Sequence, residues 1–246
     1  MWVPTVMDVS TFLQSSQDVW TSLSIPNGST VGIVDSSFNP PNFAHVKLAH
    51  LCRVSFNDCY IVFLLGTGNA DKPSVSTDEL RNRIEMINLM IDGEFPNDAR
   101  VGWGLTTKSK FVDKAEAVTR NRDVNAIFAM GFDTLVRLGD QRFYTEPVKE
   151  VLSHLFEKVC VLVLTRDEDG ISKTPDIKNT SSQVRFLPNS VFAPYVNRIY
   201  VHVSREDTYG ISSTLARRSV QDLRRAAPRA VADYVVAHDL YNIKEN

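Results

Sequence analysis

This sequence lacks an excess of charge of either sign and lacks a hydrophobic run long enough to cross a membrane. Its 27 basic and 29 acidic residues leave a net charge of −2, which gives no overall field to attract a nucleic-acid backbone or an anionic membrane. The longest apolar runs, such as residues 59–65, are too short to span a bilayer, and residues 1–4 do not begin a secretory signal. We therefore expect a soluble intracellular protein without nucleic-acid or membrane partners.

Cysteines and several common catalytic signatures are also scarce or missing. Cys52, Cys59 and Cys160 lie in apolar stretches without a C-x-x-C pair, which favours buried thiols in a reducing compartment over disulfides or a zinc site. The chain has no H-E-x-x-H zinc helix and no G-x-S-x-G nucleophile elbow. Residues 66–73 resemble a P-loop, but no glycine precedes Lys72 and no serine or threonine follows it. These absences argue against metalloprotease, serine hydrolase and P-loop chemistry.

What the sequence does contain is an alternation of short apolar strands with helical patterns. Ser76 and Glu79 form a capping box ahead of one strongly periodic helix. The alternation predicts an α/β fold with a doubly wound, mostly parallel sheet and helices on both faces. The predicted strands are residues 31–34, 60–65, 101–105, 126–130, 159–164 and 199–203.

The chain is expected to form a single domain over residues 1–246. Hydrophobic residues make up 43% of it, enough for an ordinary core, and no repeat or interdomain linker is visible. Helical spacing of apolar positions predicts a leading helix within residues 1–28. Residues 167–197 contain three prolines and little periodicity, which predicts an irregular surface insertion that could close over a ligand.

The first candidate functional motif runs from Ser36 to His45. It follows the apolar run 31–34 and leads into a helical pattern, so backbone amides and His45 are expected at a helix N-terminus, which suits an anion. A tight turn without chemistry is the alternative, with Asn39 and two prolines supplying only geometry. The position favours function, because open α/β sheets bind ligands at the carboxyl ends of their strands.

The second motif places Ser212, Ser213 and Thr214 at a predicted helix start, with Arg217 and Arg218 one turn later. Hydroxyls, backbone N–H groups and a guanidinium could then converge on one anion. The alternative is a simple helix N-cap followed by a solvated cationic face. Two such cradles in one chain suggest a polyphosphate such as ATP.

The two motifs resemble the signatures of the H-x-G-H nucleotidyltransferases. Residues 211–218 are particularly similar to the nicotinamide/nicotinic acid mononucleotide adenylyltransferases, and the resemblance extends over roughly residues 31–241, closest to a divergent fungal branch. The fold implied is Rossmann-like. Features that this family would place between the two motifs follow in order: Lys72, Arg83, Trp103, Gly131-Phe132-Asp133 and Thr165-Arg166.

The resemblance implies transfer of the adenylyl group of ATP to nicotinamide or nicotinate mononucleotide, giving NAD or its deamido form and pyrophosphate. It implies a cytoplasmic enzyme, also nuclear in some settings, that uses Mg²⁺ held by substrate phosphates rather than by protein ligands. The implied catalytic residues are His45, Ser213 and Arg217. The implied ATP-binding residues are Ser36, Ser37, Phe38, His45, Gly131, Asp133, Ser212, Ser213, Thr214 and Arg217. The implied acceptor-binding residues are Lys72, Trp103 and Arg166.

Three departures from the family pattern leave alternatives open. Asn42 stands at the first histidine of the motif, Ala44 at its glycine and Ser36 at its leading glycine. A nucleotidyltransferase with another phosphorylated acceptor, such as a CTP-dependent cytidylyltransferase, is one alternative. A nucleotide-binding regulatory or chaperone-like protein with little turnover is another. At single residues, Trp103 could equally be core packing, Asp133 could cap a helix at 134–138, and homo-oligomer formation stays open.

Overall fold

The computed structural model describes residues 9–67, 76–166, 180–204 and 210–243. The strands are β1 Val19–Thr21, β2 Ser29–Ser36, β3 Tyr60–Gly66, β4 Val101–Thr106, β5 Val124–Gly131, β6 Val159–Leu164 and β7 Ile199–His202. The helices are α1 Val9–Gln14, α2 Phe43–Ser55, α3 Thr77–Glu94, α4 Phe111–Thr119, α5 Phe132–Leu138, α6 Val148–Lys158, α7 Thr180–Phe186, α8 Ser213–Ala216, α9 Val220–Ala226 and α10 Arg229–Ala237. Short 3₁₀ turns cover Gln141–Phe143, Leu187–Asn189, Ala193–Arg198 and Leu240–Asn242.

All seven of these strands form one sheet in the order β1-β4-β3-β2-β5-β6-β7. β1 is antiparallel to β4, and every other neighbouring pair is parallel. The six parallel strands therefore have the doubly wound order of a Rossmann-like sheet, with a switch of direction between β2 and β5. The predicted fold class is confirmed.

The sheet is buried on both faces because its strands alternate two apolar sets. Val34 and Phe63 belong to one core cluster, which packs under α2, α3, α9 and α10. Their neighbours Ile33 and Leu64 belong to the other cluster, under α4, α5 and α6. This continuous run of apolar residues is typical of parallel strands covered by helices on both sides.

The predicted leading helix is correct for α1 and wrong beyond it. Val19, Trp20 and Thr21 are all buried on β1, which pairs with β4 at the edge of the sheet. Trp20 packs against Trp103 with ring centroids 4.9 Å apart. A three-residue strand with two β-branched side chains and one aromatic side chain is too short to show strand periodicity, so sequence spacing alone mistook it for part of the helix.

The predicted surface insertion is partly outside the described residues, namely 167–179. Its remainder is neither irregular nor wholly superficial, because α7 and two 3₁₀ turns order residues 180–198. Gln183 and Phe192 are fully buried there, and Leu187 is nearly so. Apolar packing against the sheet overrides the prolines that suggested a loop.

The cysteines agree with their sequence interpretation as thiols. All three are free; Cys52 and Cys59 are buried as expected, whereas Cys160 is only partly buried, so the expectation of a buried thiol is wrong at that position. Burial raises the pKa of Cys59 to about 11, so this thiol is not a reactive thiolate at neutral pH. Within the described ranges, no helix is both long and apolar enough to cross a membrane.

Candidate functional site

A cleft opens at the carboxyl edge of the sheet, next to β2 and β5, where the strand order changes direction. The cleft is partly open to solvent, and both polar and apolar side chains line it. The ends of β2, β5 and β6, the start of α2 and residues 210–212 line its walls. This is the switch point at which doubly wound sheets bind ligands.

The start of α2 carries a capping box formed by Asn42 and His45. The Asn42 side chain accepts the backbone N–H of Ala44 at 3.0 Å and that of His45 at 3.4 Å. In return, the Nδ1 atom of His45 accepts the backbone N–H of Asn42 at 3.0 Å. Asn42, which departs from the family pattern, thereby caps the helix and orients the histidine.

This bond fixes the tautomer of His45. Because Nδ1 accepts a hydrogen bond, the neutral ring carries its proton on Nε2, which lies 3.0 Å from the Oγ atom of Ser36. Burial, and to a smaller extent the positive charge of Arg166, lower the pKa of His45 to about 3. At neutral pH, His45 is a neutral hydrogen-bond donor on the wall of the cleft.

Phe38 supports the histidine from behind. Its ring lies 4.9 Å from the imidazole, and it is fully buried against Phe63. Phe38 does not line the cleft, so its contribution to a ligand site is limited to its backbone and to holding His45 in place.

The second motif docks directly on the first. The Ser213 hydroxyl donates to the Pro40 carbonyl at 2.8 Å and accepts from the Asn42 Nδ2 atom at 3.0 Å. The Arg217 guanidinium donates to the Asn39 carbonyl. Residues more than 170 positions apart in the chain therefore meet at one loop.

Arg217 is not among the residues that line the cleft. Its guanidinium is 5.9 Å from the ring of Tyr241, a geometry that allows a cation–π contact. Arg83 donates to the Ser37 carbonyl of the same loop at 3.3 Å and forms an ion pair with Glu79. Two guanidinium groups thus hold the backbone of the first motif.

Gly131, Asp133 and Arg166 form a compact group at the opposite wall. The Asp133 Oδ1 atom is 2.7 Å from the Arg166 Nε atom. A Cβ at position 131 would lie 2.7 Å from that carboxylate oxygen and 3.0 Å from Nε, so any larger residue there would displace the pair. Gly131 itself caps α5 without a side-chain bond, and Asp133 lies inside the helix, so the interpretation of Asp133 as a helix cap is wrong.

The side chain of Gln183, on α7, holds the backbone of Arg166 in place. The Gln183 Oε1 atom accepts the Arg166 N–H at 2.9 Å, and its Nε2 atom donates to the Arg166 carbonyl at 2.6 Å. Sequence reasoning missed this residue, because nothing in a polar segment distinguishes a fully buried glutamine from an exposed one.

A buried ion pair at the end of β2 was also missed. Asp35 lines the cleft, and its two carboxylate oxygens accept from the Nζ atom of Lys114 at 2.8 and 2.7 Å. Asp35 directly precedes the first motif, which is a usable signal, whereas Lys114 lies on α4 and is recognisable only in three dimensions.

The structure brings some of the sequence-predicted residues to the cleft and leaves others outside it. Trp103 packs on Trp20 near the β1 edge of the sheet, and Ser37 and Thr214 are exposed. Lys72 lies outside the described residues. Of the site residues predicted from the sequence, those that line the cleft are Ser36, His45, Gly131, Arg166 and Ser212. Phe38, Asp133 and Ser213 contact residues that line the cleft, whereas Arg217 contacts the Asn39 carbonyl, which is not part of the lining.

Sequence comparison shows a similar protein. No protein-family model matches the chain. A protein of Schizosaccharomyces pombe, whose name gives it provisionally as a nicotinamide mononucleotide adenylyltransferase, is 27% identical over 191 residues, covering 76% of this chain and 74% of that protein. The alignment confirms the resemblance predicted from the two motifs.

The fold is likewise similar to solved structures. Plasmodium falciparum nicotinic acid mononucleotide adenylyltransferase, complexed with NaAD in one structure and with APC in another, gives a TM-score of 0.56 at 15% identity. The similarity covers 88% of this chain and 98% of the solved one. At this identity the likeness shows the Rossmann-like fold.

Proposed function

We propose that this chain, a relative of the nicotinamide and nicotinic acid mononucleotide adenylyltransferases, transfers the adenylyl group of ATP to nicotinamide or nicotinate mononucleotide. The products are NAD or its deamido form and pyrophosphate. The observation that carries this proposal is the convergence of the two motifs, where the Ser213 hydroxyl bonds both Asn42 and Pro40 beside the cleft.

The reaction needs no nucleophilic side chain. A phosphate oxygen of the mononucleotide forms a bond to the α-phosphorus of ATP, and the bond from that phosphorus to the β-phosphate oxygen breaks. Both reactants are anions, so the protein must align them and stabilise charge on the transferring and leaving oxygens. Donors fixed in advance serve this purpose better than groups that must reorient during the reaction.

His45 is the donor best prepared for this role. Its Nε2–H points toward Ser36 in the cleft, and its low pKa keeps the ring neutral over the physiological range. We assign it to the oxygens of the α-phosphate, with Ser36 beside it. As a donor that never changes charge, it stabilises the transferring group without taking part in proton transfer.

The other ATP contacts follow from the positions of the two motifs. The backbone of residues 36–38 and the segment 212–214 with its hydroxyls would hold the phosphates, and Gly131 with Asp133 would hold the nucleoside. Arg217 has five guanidinium donors, so its bond to Asn39 leaves others to reach a phosphate.

Arg166, Trp103 and Lys72 are the residues proposed to bind the acceptor mononucleotide. Arg166 is supported best, since it lines the cleft with Gln183 fixing its backbone. Trp103 is supported least, since its ring packs on Trp20.

Mg²⁺ would be carried by the phosphates of the substrate. The carboxylates nearest the cleft, Asp35 and Asp133, are already paired with Lys114 and Arg166. In the described part of the chain, no three His, Cys, Asp or Glu side chains are grouped to hold a metal. These residues fit an ion that keeps most of its waters and neutralises phosphate charge.

The test is an assay of the purified protein with ATP, Mg²⁺ and each mononucleotide in turn. We expect pyrophosphate and a dinucleotide in equal amounts. No product from either acceptor at high enzyme concentration would refute the proposal. CTP with a phosphorylated alcohol tests the cytidylyltransferase alternative, and ATP binding without pyrophosphate release from any acceptor would favour the regulatory one.

A further inference from the structure

The ion pair between Asp35 and Lys114 joins the cleft to the opposite face of the sheet. Asp35 stands at the end of β2 with its side chain 7% exposed, and Lys114 reaches it from α4 with its side chain 10% exposed. The ammonium binds both carboxylate oxygens, at 2.8 and 2.7 Å. The ring of Phe111, 5.4 Å from Nζ, covers the lysine further.

The position of this carboxylate is unfavourable for a polyanion. Among the described residues that line the cleft, Asp35 and Arg166 are the charged ones. Arg166 is itself paired with Asp133, and His45 is neutral at physiological pH. A bare Asp35 would therefore place a negative charge on the wall of a cleft that must accept phosphates.

Stability alone is a poor explanation of the pair. Withdrawing two charges from water costs about as much as their attraction returns, and an apolar pair of similar size is often at least as stable. The pair does affect the cleft, because with Lys114 bound to Asp35 the net charge of the two side chains is close to zero.

We propose that Lys114 is a positioning residue that neutralises Asp35 and thereby sets the affinity of the cleft for the phosphates of its nucleotide. The inference rests on the proposed function in that the cleft is taken to bind ATP. A unit charge a few ångströms from a phosphate at a partly buried site changes the binding energy enough to alter the dissociation constant about tenfold or more.

The experiment compares ATP with adenosine, which has the same nucleoside but no charge. Equilibrium dissociation constants of both ligands are measured for the wild type, Lys114→Met, Asp35→Asn and the double variant. We expect Lys114→Met to weaken ATP about tenfold and Asp35→Asn to tighten it by a similar factor. The double variant should restore the wild-type ratio of ATP to adenosine affinity, and adenosine itself should change little throughout.

A merely structural pair gives a different result. Loss of packing would weaken ATP and adenosine together in both single variants, and that outcome overturns the proposal, as does an unchanged ratio. Lys114→Arg, which keeps the charge, is the matched control and should keep the ratio. Melting temperatures identify any variant that fails to fold.

The design tolerates an unfolded variant. If one single variant does not fold, the direction in which ATP affinity changes in the other single variant decides. If neither single variant folds, the double variant decides. A markedly altered ratio of ATP to adenosine affinity in it overturns the proposal, and the wild-type ratio supports it. Because the readout is binding, failure of this inference is distinct from failure of the proposed function, which is judged by dinucleotide formation.

Discussion

His45 illustrates how one residue acquires its function from its immediate neighbours. The Asn42 backbone fixes its tautomer, Phe38 fixes its ring, and burial fixes its neutral charge state. Each contact removes a freedom that the side chain would otherwise lose on binding substrate. A histidine of ordinary pKa in the same place would be partly charged near pH 6.5 and its donor pattern would vary with pH.

Replacing His45 by alanine should lower kcat by ~10²–10³, the usual loss for a preorganised donor to a transition state. Steady-state kinetics with ATP and the better mononucleotide measure it. His50→Ala is the control, because His50 lies on the same helix but is exposed, with its ring against Phe95; its rate should stay within about twofold of wild type. Equal rates for the two variants would remove His45 from the site.

Gly131→Ala should raise KM for ATP about tenfold, since the new methyl group would press into the Asp133–Arg166 pair and displace it. Gly93→Ala is the matched control. Gly93 lies in α3, and a Cβ added there would meet nothing within 4 Å, so alanine should leave kinetics unchanged and stabilise the protein by about 0.5–1 kcal/mol. An unaltered KM in Gly131→Ala would show that the pair does not contact the nucleotide.

At the scale of elements, the caps of α2 and α3 differ, and only the cap of α2 lies beside the cleft. Ser76 caps α3 by accepting the Glu79 N–H at 3.2 Å, as the sequence predicts. The Glu79 side chain, however, pairs with Arg83 rather than completing a capping box. The reciprocal box occurs at α2 instead, where Asn42 and His45 exchange bonds beside the cleft.

These two caps provide a comparison. Both Asn42→Ala and Ser76→Ala should lower the free energy of unfolding by about 1 kcal/mol, because each removes a side-chain acceptor from a helix start. Only Asn42→Ala should also lower kcat/KM, by an expected factor of about ten or more, because it removes the side-chain acceptor of the His45 backbone N–H and the contact with Ser213. Urea unfolding and steady-state kinetics give the two quantities. Similar kinetic losses in both variants would contradict a specific role for the α2 cap.

Six of the seven described strands coincide with apolar runs predicted from the sequence, including the edge strand β7. β2, β3, β5 and β6 lie inside the sheet and coincide closely with the runs visible in the sequence. β1 lies at the edge, has three residues and joins the sheet through a partner more than 80 positions away, so no local pattern identified it. Pairing partners decide such strands, and pairing is a tertiary property.

At the scale of the whole molecule, the sheet brings distant segments together. Because parallel strands deliver their carboxyl ends to one edge, the loops after β2, β5 and β6 all reach the same cleft. The C-terminal motif then closes the group through Ser213 and Arg217.

The stability of the whole chain should depend on pH through groups that fold in one protonation state. His45 has a folded pKa of about 3 against an ordinary value of 6.5, so between these values the unfolded chain binds a proton that the folded one does not. The free energy of unfolding should therefore fall as the pH drops from about 6.5 toward 3, by up to about 1.4 kcal/mol per pH unit for this group.

Carboxylates extend the same trend at lower pH. Hydrogen bonds from Lys108 and Lys158 lower the pKa values of Asp18 and Glu116, so the stability they add is present above their ordinary pKa and lost as the pH falls below it. Urea unfolding at several pH values measures the slope. His45→Asn should flatten it between about pH 6.5 and 5, and an unchanged slope would contradict a buried neutral histidine.

The order of residues along the chain was enough to establish the layered α/β fold, the place of the two motifs and the near-neutral overall charge. It was enough because burial on both faces leaves continuous apolar runs and because helix starts carry local polar signatures. Folding in three dimensions was needed to show that Asp35 meets Lys114, that Gln183 holds Arg166 and that Arg217 binds the Asn39 carbonyl. These contacts join residues far apart in the chain, and their energies depend on burial and distance, which one-dimensional spacing does not encode.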